Sequence, residues 1–481
     1  MERKVACGAA GLLLILAAGL LSACRVPAWS PPAGSTPSLA PPPAAPEPPA
    51  RQEHTYYVAL SGDDGNPGTL DLPWRTIQKA ADTLQAGDTV YIRAGTYPEQ
   101  VVPQNSGSAG QDIAYAAYPG ESVIIDGSGM TVPEYEGLFY IGSRDHIRVS
   151  GLHIVNSNQA GILADGCSHI VIEDNTTYDT GSSGIGVWGS SDVVVAGNRV
   201  EEACWGGMQE CITVGGTDGF EVRDNEVLNC HKEGIDAKDG SSNGKLYRNR
   251  VHHTQEVGIY VDAWDKHTYN IAVFQNVVHD ILDNDGFALG SEAGGLLENV
   301  RVYNNIAYNN RYRGLVLHNC CADLSPTHPV QGIAIVNNTF YRNGADPWGG
   351  GISVDNPEIQ DLVIRNNICS QNLSFQMVVS PGVPMTTLVI DHNLIDGYRG
   401  YEGEVRGDPY VEGDPRFVDP AGIDLHLQAD SPAIDRGSDL DAPGDDLDGQ
   451  TRPAGPGYDI GADEYIAFTQ WVYLPILWES D

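Results

Sequence analysis

One phrase recurs through the middle of this 481-residue chain: an apolar run, an asparagine, an apolar pair, a polar turn, then Gly-Ile-x-Val. The asparagines are Asn175, Asn198, Asn225, Asn249, Asn276, Asn305, Asn338, Asn367 and Asn393, spaced 23 to 33 residues apart. Units of such variable length exclude a rigid propeller blade of about 40 to 50 residues. Aligned on its glycine, the phrase places Gly161, Gly184, Cys211, Gly234, Gly258, Gly286, Gly314 and Gly351 at one position. One place later stand Ile162, Ile185, Ile212, Ile235, Ile259, Phe287, Leu315 and Ile352; three places later, Ala164, Val187, Val214, Ala237, Val261, Leu289, Leu317 and Val354. That is the period of a strand with one face buried, repeated once per unit.

Short strands that stack in parallel, coil upon coil, with one face always inside, build an all-β fold: a right-handed parallel β-helix of about ten coils. The asparagines then form an internal ladder, each amide bonding the coils above and below. A leucine-rich horseshoe is the runner-up, but its leucine consensus and helices are missing. The open end of the stack needs a cap. Ile77, Ala80, Ala81 and Leu84 fall at helical spacing, which predicts a short amphipathic capping helix over 76–85, stopped by Gly87 before Thr89-Val-Tyr-Ile-Arg93 starts the sheet. Sixty-four acidic residues against 27 lysines and arginines give a net charge of −37, which argues against nucleic acid or an anionic membrane surface as partner.

The two ends read differently. Val5 to Cys24 carries no charge, and its close, Leu21-Ser-Ala-Cys24, resembles the bacterial lipobox. The resemblance implies a signal peptide over 1–23, lipidation at Cys24, and an extracytoplasmic cell-envelope lipoprotein touching the membrane only through that anchor. Ten prolines between residues 25 and 50 make 24–53 an extended Pro/Ala-rich linker. The β-helix with its cap is expected over 54–400, as a monomer, and a C-terminal anchor-like module over 401–481. Within that module Asp439, Asp441, Asp445, Asp446 and Asp448 crowd one loop, which reads as a calcium loop or as a solvated acidic one. Trp471 to Trp478 is expected to be a final capping strand.

Tyr56-Tyr-Val, Gly62-Asp-Asp-Gly-Asn-Pro-Gly68, Pro73-Trp-Arg-Thr-Ile77 and Ala86-Gly-Asp-Thr-Val90 together resemble the N-terminal cap of pectate-lyase-like β-helix proteins. Gly413-Asp-Pro-Arg-Phe417, Ser431-Pro-Ala-Ile-Asp435, Arg452-Pro453 and Asp459-Ile-Gly-Ala-Asp-Glu464 resemble the choice-of-anchor module of bacterial surface proteins.

The interior of a β-helix is full, so chemistry belongs on an outer face. The outward positions of the Gly-Ile-x-Val strands gather ionisable groups in the central coils: Glu210, Glu233, Asp236, Lys238, Tyr260 and Asp262. Stacked like charges destabilise a sheet, so something must neutralise them. Calcium held by Glu210, Glu233 and Asp236 is one answer. The other is a Lys238–Asp262 salt bridge with the glutamates splayed into water. Glu233-Gly-Ile-Asp-Ala-Lys238, with Ser241-Ser-Asn243 and Asn249, is similar to a strand of the chondroitinase B and alginate lyase family. That similarity implies Glu233 as a calcium ligand and Lys238 as the base, although the family's arginine one coil on is replaced near Val261 and Asp262. Asp285-Gly-Phe-Ala-Leu-Gly290 resembles the strand carrying the catalytic lysine of another pectate lyase family, with Ala288 in the lysine's place. Tyr260 is the expected acid for a leaving oxygen, while Trp188, Trp264, Lys266, His267, Arg313 and His318 are expected to grip sugar.

Cys204 and Cys230 occupy nearly the same turn in successive coils, where they read as a disulfide or as a buried cysteine stack. Cys320 and Cys321 sit in an insertion, Asn319 to Gln331, expected to overhang the groove. Scattered histidines lack zinc-ligand spacing. Three functions fit: a calcium-assisted lyase cleaving a uronate polysaccharide by β-elimination, a glycoside hydrolase pairing Asp236 with Asp262, and a non-catalytic glycan-binding surface protein.

Overall fold

The computed structural model describes residues 53–345 and 348–467. Cys24, the segments 1–23 and 24–52, and the Trp471–Trp478 tail lie outside them. The chain winds as a right-handed parallel β-helix whose three sheets contain thirteen, thirteen and ten strands. Each strand stacks in parallel on its equivalent one coil away. In the third, ten-stranded sheet, Ile185–Trp188 lies between Ala160–Asp165 and Ile212–Gly215, with Ile162, Ile185 and Ile212 in line. The same row continues through Ile235, Ile259, Phe287, Leu315 and Ile352, all buried, which is the period-2 pattern of the repeat realised as a core. The capping helix spans Ile77–Thr83, shorter than the expected 76–85, because Thr76 is its N-cap and accepts from the Lys79 amide. Ile77, Ala80, Ala81 and Leu84 seal the first coil.

The asparagine ladder runs unbroken. Asn276 is typical: its Nδ2 donates to Leu246 O and to Asn305 Oδ1, each at 2.9 Å. Its own Oδ1 accepts from the Asn249 amide and Nδ2, each at 3.0 Å. The amide thus satisfies backbone that turns between sheets and has no ladder partner of its own. Asn276→Ala should cost about 2–3 kcal/mol, because it strands several buried polar groups at once; chemical denaturation of the variant measures it. A second ladder, Asn310–Asn343–Asn372, ends on Gln376 Oε1.

The residue ahead of each ladder asparagine is left-handed, as at Gln275, Asn304, Asn337 and Asn366 (φ 53–56°). That conformation turns its side chain outward while the asparagine points in. These four side chains donate to Asp446 O, Asp445 O, Asp459 O and Ser438 O, so they fasten the C-terminal segment along the flank of the coils. Beneath these bonds Leu425, Leu427, Ile460 and Ala462 pack on Ile306, Tyr308, Tyr341 and Ile368. Residues 401–467 therefore belong to one compact unit with the coils. In the acidic loop Asp446 accepts the amides of Asp448, Gln450 and Glu464, and Asp441 pairs with Arg365 at 2.6 Å.

Asp448 holds His426 Nε2 at 2.8 Å, and Asp424 flanks the other ring nitrogen. The hydrogen bond that His426 donates to Asp448 is the main cause that pushes His426 up to about 10. A folded value above the unfolded one of about 6.5 adds stability that is complete below that pH and is lost as pH rises through about 10. His426→Gln should therefore flatten the decline in denaturation midpoint between neutral pH and about pH 10.

Candidate active site

The outward row of the third sheet is Leu163, Gly186, Thr213, Asp236, Tyr260, Ala288, Val316 and Ser353, in register as expected. It is not an open face. Thr213, Asp236, Tyr260, Ala288, Val316 and Ser353 are all buried, because loops between coils fold over the sheet. One of them is the Cys320–Cys321 insertion: both thiols lie within 4.8 Å of Glu292, and Glu292 Oε1 accepts the Tyr260 hydroxyl at 2.7 Å.

In the central coils this cover encloses a charged cluster. Lys238 Nζ donates to Glu210 Oε1 at 2.6 Å and lies 3.9 Å from Asp236 Oδ2. Glu210 Oε2 accepts from Thr213 Oγ1 at 3.0 Å, and that hydroxyl lies 2.8 Å from Ser183 Oγ. Asp236 Oδ1 is buried without a hydrogen-bond partner. Asp262 Oδ1 accepts the Trp264 amide at 2.8 Å. At the corner Lys232 lies 2.8 Å from Glu256 and 3.6 Å from Glu233. Lys238 therefore pairs with Glu210 and Asp236, not with Asp262, and neither glutamate splays into water: the side chains of Glu210 and Glu233 are 9% and 15% exposed. Lys238 is the cation beside Glu210 and Asp236, and Lys232 the one beside Glu233.

Burial, then the Glu210 charge, pushes Asp236 well up; burial, then Glu292, pushes Asp262 to about 8. Burial and the facing Glu256 carboxyl raise Glu233 to about 8. Burial opposes the Lys238 ammonium, but Asp236 and Glu210 outweigh it and hold the proton on. That is the reverse of what a lysine base needs. Tyr260 is pushed well above its ordinary value by burial, then by Asp262 and Glu292, so as an acid it is weak. Lys238 and Thr213 each bond one oxygen of Glu210, and Glu210, Glu233 and Asp236 are not among the groups whose ligand atoms converge within 4.8 Å. Among the described residues, ligand atoms converge within 4.8 Å elsewhere, at Glu292–Cys320–Cys321 and at His426–Asp448–Asp463.

The expected sugar contacts divide. Trp188 stands beside the cluster, its ring centre 5.7 Å from Lys238 Nζ. Trp264, Lys266 and His267 form the turn after Asp262; Lys266 is exposed and His267 is bonded to Glu298 at 2.8 Å. Arg313 is not free, since Asp285 and Asp355 each hold it at 2.7 Å. His318 sits edge-on to Tyr260, ring centres 5.9 Å apart, and burial lowers its affinity for a proton. Ala288, buried between Tyr260 and Val316, confirms that no lysine stands at that stacked position. The disulfide joins Cys211 to Cys230, and Cys204 Sγ lies free 3.7 Å from Cys211 Sγ, which corrects the Cys204–Cys230 pairing. Glu256 and Glu292, both in connecting loops, were not anticipated.

Residues 56–353 match the family model described as Pel9A-like, right handed beta helix region. The chain belongs to the Pel9A-like right-handed β-helix family. Its relatives include the uncharacterized protein YwoF of Bacillus subtilis (strain 168), 30% identical over 437 residues, covering 78% of this chain and 91% of that one. Pectate lyase PEL9 of Emericella nidulans is 29% identical over 204 residues, 40% of this chain and 45% of its own. Among solved structures, pectate lyase Pel9A superimposes with a TM-score of 0.53 at 14% identity, covering 85% of this chain and 96% of that one. At that identity the likeness shows the fold alone.

Proposed function

We propose that this family member is a carbohydrate-active enzyme that hydrolyses glycosidic bonds with a pair of carboxyl groups, Asp262 as general acid and Asp236 as base. One observation carries the reading: Lys238 is clamped between Glu210 and Asp236, and Lys232 between Glu233 and Glu256, which leaves carboxyls, not an amine, to move protons. Asp262 keeps its proton to about pH 8, as an acid working at neutral pH must. Asp236 has an unpartnered oxygen; burial and then the Glu210 charge push it well up, and the Lys238 ammonium beside it pulls the other way. A pair of carboxyl groups is the requirement of glycoside hydrolysis, and here Lys238 lies beside Asp236 of the two.

The second reading is calcium-assisted β-elimination on a uronate polysaccharide. It is favoured by the pectate lyase relative and by Asp236 Oδ1, a buried hard oxygen that a cation could claim. The lipid anchor at Cys24 and an envelope location belong to the same proposal, since a polysaccharide is met outside the cell. Incubating the purified protein with uronate-containing and neutral polysaccharides separates the readings. Reducing ends without new ultraviolet absorbance support hydrolysis; absorbance that disappears with a chelator supports elimination. Binding without either supports a glycan-binding surface protein.

A further inference from the structure

Next to the buried cluster, on the same sheet, a groove of ≈ 480 Å³ opens where the covering loops part. That volume lies within the range of small-molecule sites, about 300–1,000 Å³. Its floor is Leu163 and the half-buried ring of Trp188; Tyr135, 70% exposed, and Met208, 56% exposed, stand at its walls. Flat apolar surface of this kind stacks on sugar rings. Ser183 joins the groove to the cluster, through Thr213 to Glu210 and so to Lys238. One hydrogen-bonded chain thus joins the groove to the cluster.

The charge of the groove is one-sided. Glu134, Glu136 and Asp165 line it, together with serine and glutamine, and no lysine, arginine or histidine does. None of these three carboxylates forms an ion pair among the described residues, whereas the carboxylates along the first sheet repeatedly meet arginine, lysine or histidine. The nearest ammonium, Lys238, is already neutralised by Glu210. A polyuronate laid here would place its carboxylates against three others with no cation between them, in a protein whose net charge is −37. Uncharged sugars meet no such penalty, and amino sugars carrying ammonium groups gain from it.

We propose that this groove binds a glycan segment of uncharged or amino sugars and rejects uronates. The inference rests on the carboxyl-pair hydrolase reading for what happens to the bound chain, but not for the binding itself. The test is calorimetry at low salt with three oligosaccharides of equal length: glucosamine oligomers, their N-acetylated counterparts, and oligogalacturonate. The expected order is glucosamine, then N-acetylated, with oligogalacturonate weakest. Trp188→Ala should weaken the first two about tenfold, and Asp165→Asn should weaken only the glucosamine series and reduce its salt dependence. Tightest binding by oligogalacturonate, no binding by any of the three, or unchanged binding in Trp188→Ala overturns the proposal. Binding in the expected order without hydrolysis would leave it standing and remove the hydrolase. Hydrolysis that survives Trp188→Ala with unchanged KM would do the opposite.

Discussion

Asp262→Asn should lower the hydrolytic rate by about 10²–10⁴-fold, the usual worth of a positioned general acid. The substitution is chosen to remove one proton and little else. An asparagine oxygen can still accept the Trp264 amide that fixes Asp262 Oδ1 at 2.8 Å, so the local turn is kept. Burial and the Glu292 charge hold the wild-type carboxyl protonated to about pH 8. Activity should accordingly persist through neutrality and fall as pH rises through about 8, because the acid is then lost. Asp236→Asn should be equally inactive for the opposite reason, having no carboxyl oxygen able to take a proton. Oligosaccharide affinity measured beside the rate separates lost chemistry from lost binding. A pair of variants that both retain wild-type rates would sink the assignment.

The architecture was readable in the chain because two periods coincide. Alternation within Gly-Ile-x-Val fixes which side chains point inward, and recurrence of Asn175 to Asn393 fixes how coils stack. Both are local rules that every coil obeys. The site was readable only in part, because its burial depends on connections that break the repeat. Outward residues such as Asp236 and Tyr260 were expected on an open face; the loop bearing Cys320 and Glu292 covers them, and loop paths carry no period. Cys211 shows the same limit. It occupies the repeat's glycine position, where the repeat gives no partner for it, yet at that corner its sulfur meets Cys230 of the next coil. The clamp on the C-terminal segment did leave a signal that went unread. Gln275, Asn304, Asn337 and Asn366 each precede a ladder asparagine, and a left-handed residue there must aim outward at something.

Lys238→Met should destabilise the protein by about 3–5 kcal/mol, because it strands buried carboxylates beside one another. Glu210 would keep only the Thr213 hydroxyl, and Asp236, already short of one partner, would lose its nearest positive charge. The side chains of this pair are 16% and 9% exposed, so water can replace little of what the ammonium supplies. If the lysine is structural in this sense, removing its partner's charge should repair the damage. The double variant Lys238→Met, Glu210→Gln should recover most of the loss, since an ion pair replaced by groups of similar volume is often close to neutral. Denaturation midpoints of the two single variants and the double one give the coupling energy directly. Activity gives the independent check. A catalytic base predicts a double variant that is stable and dead, whereas a lysine that only holds Glu210 and Asp236 in place predicts that stability and part of the rate return together.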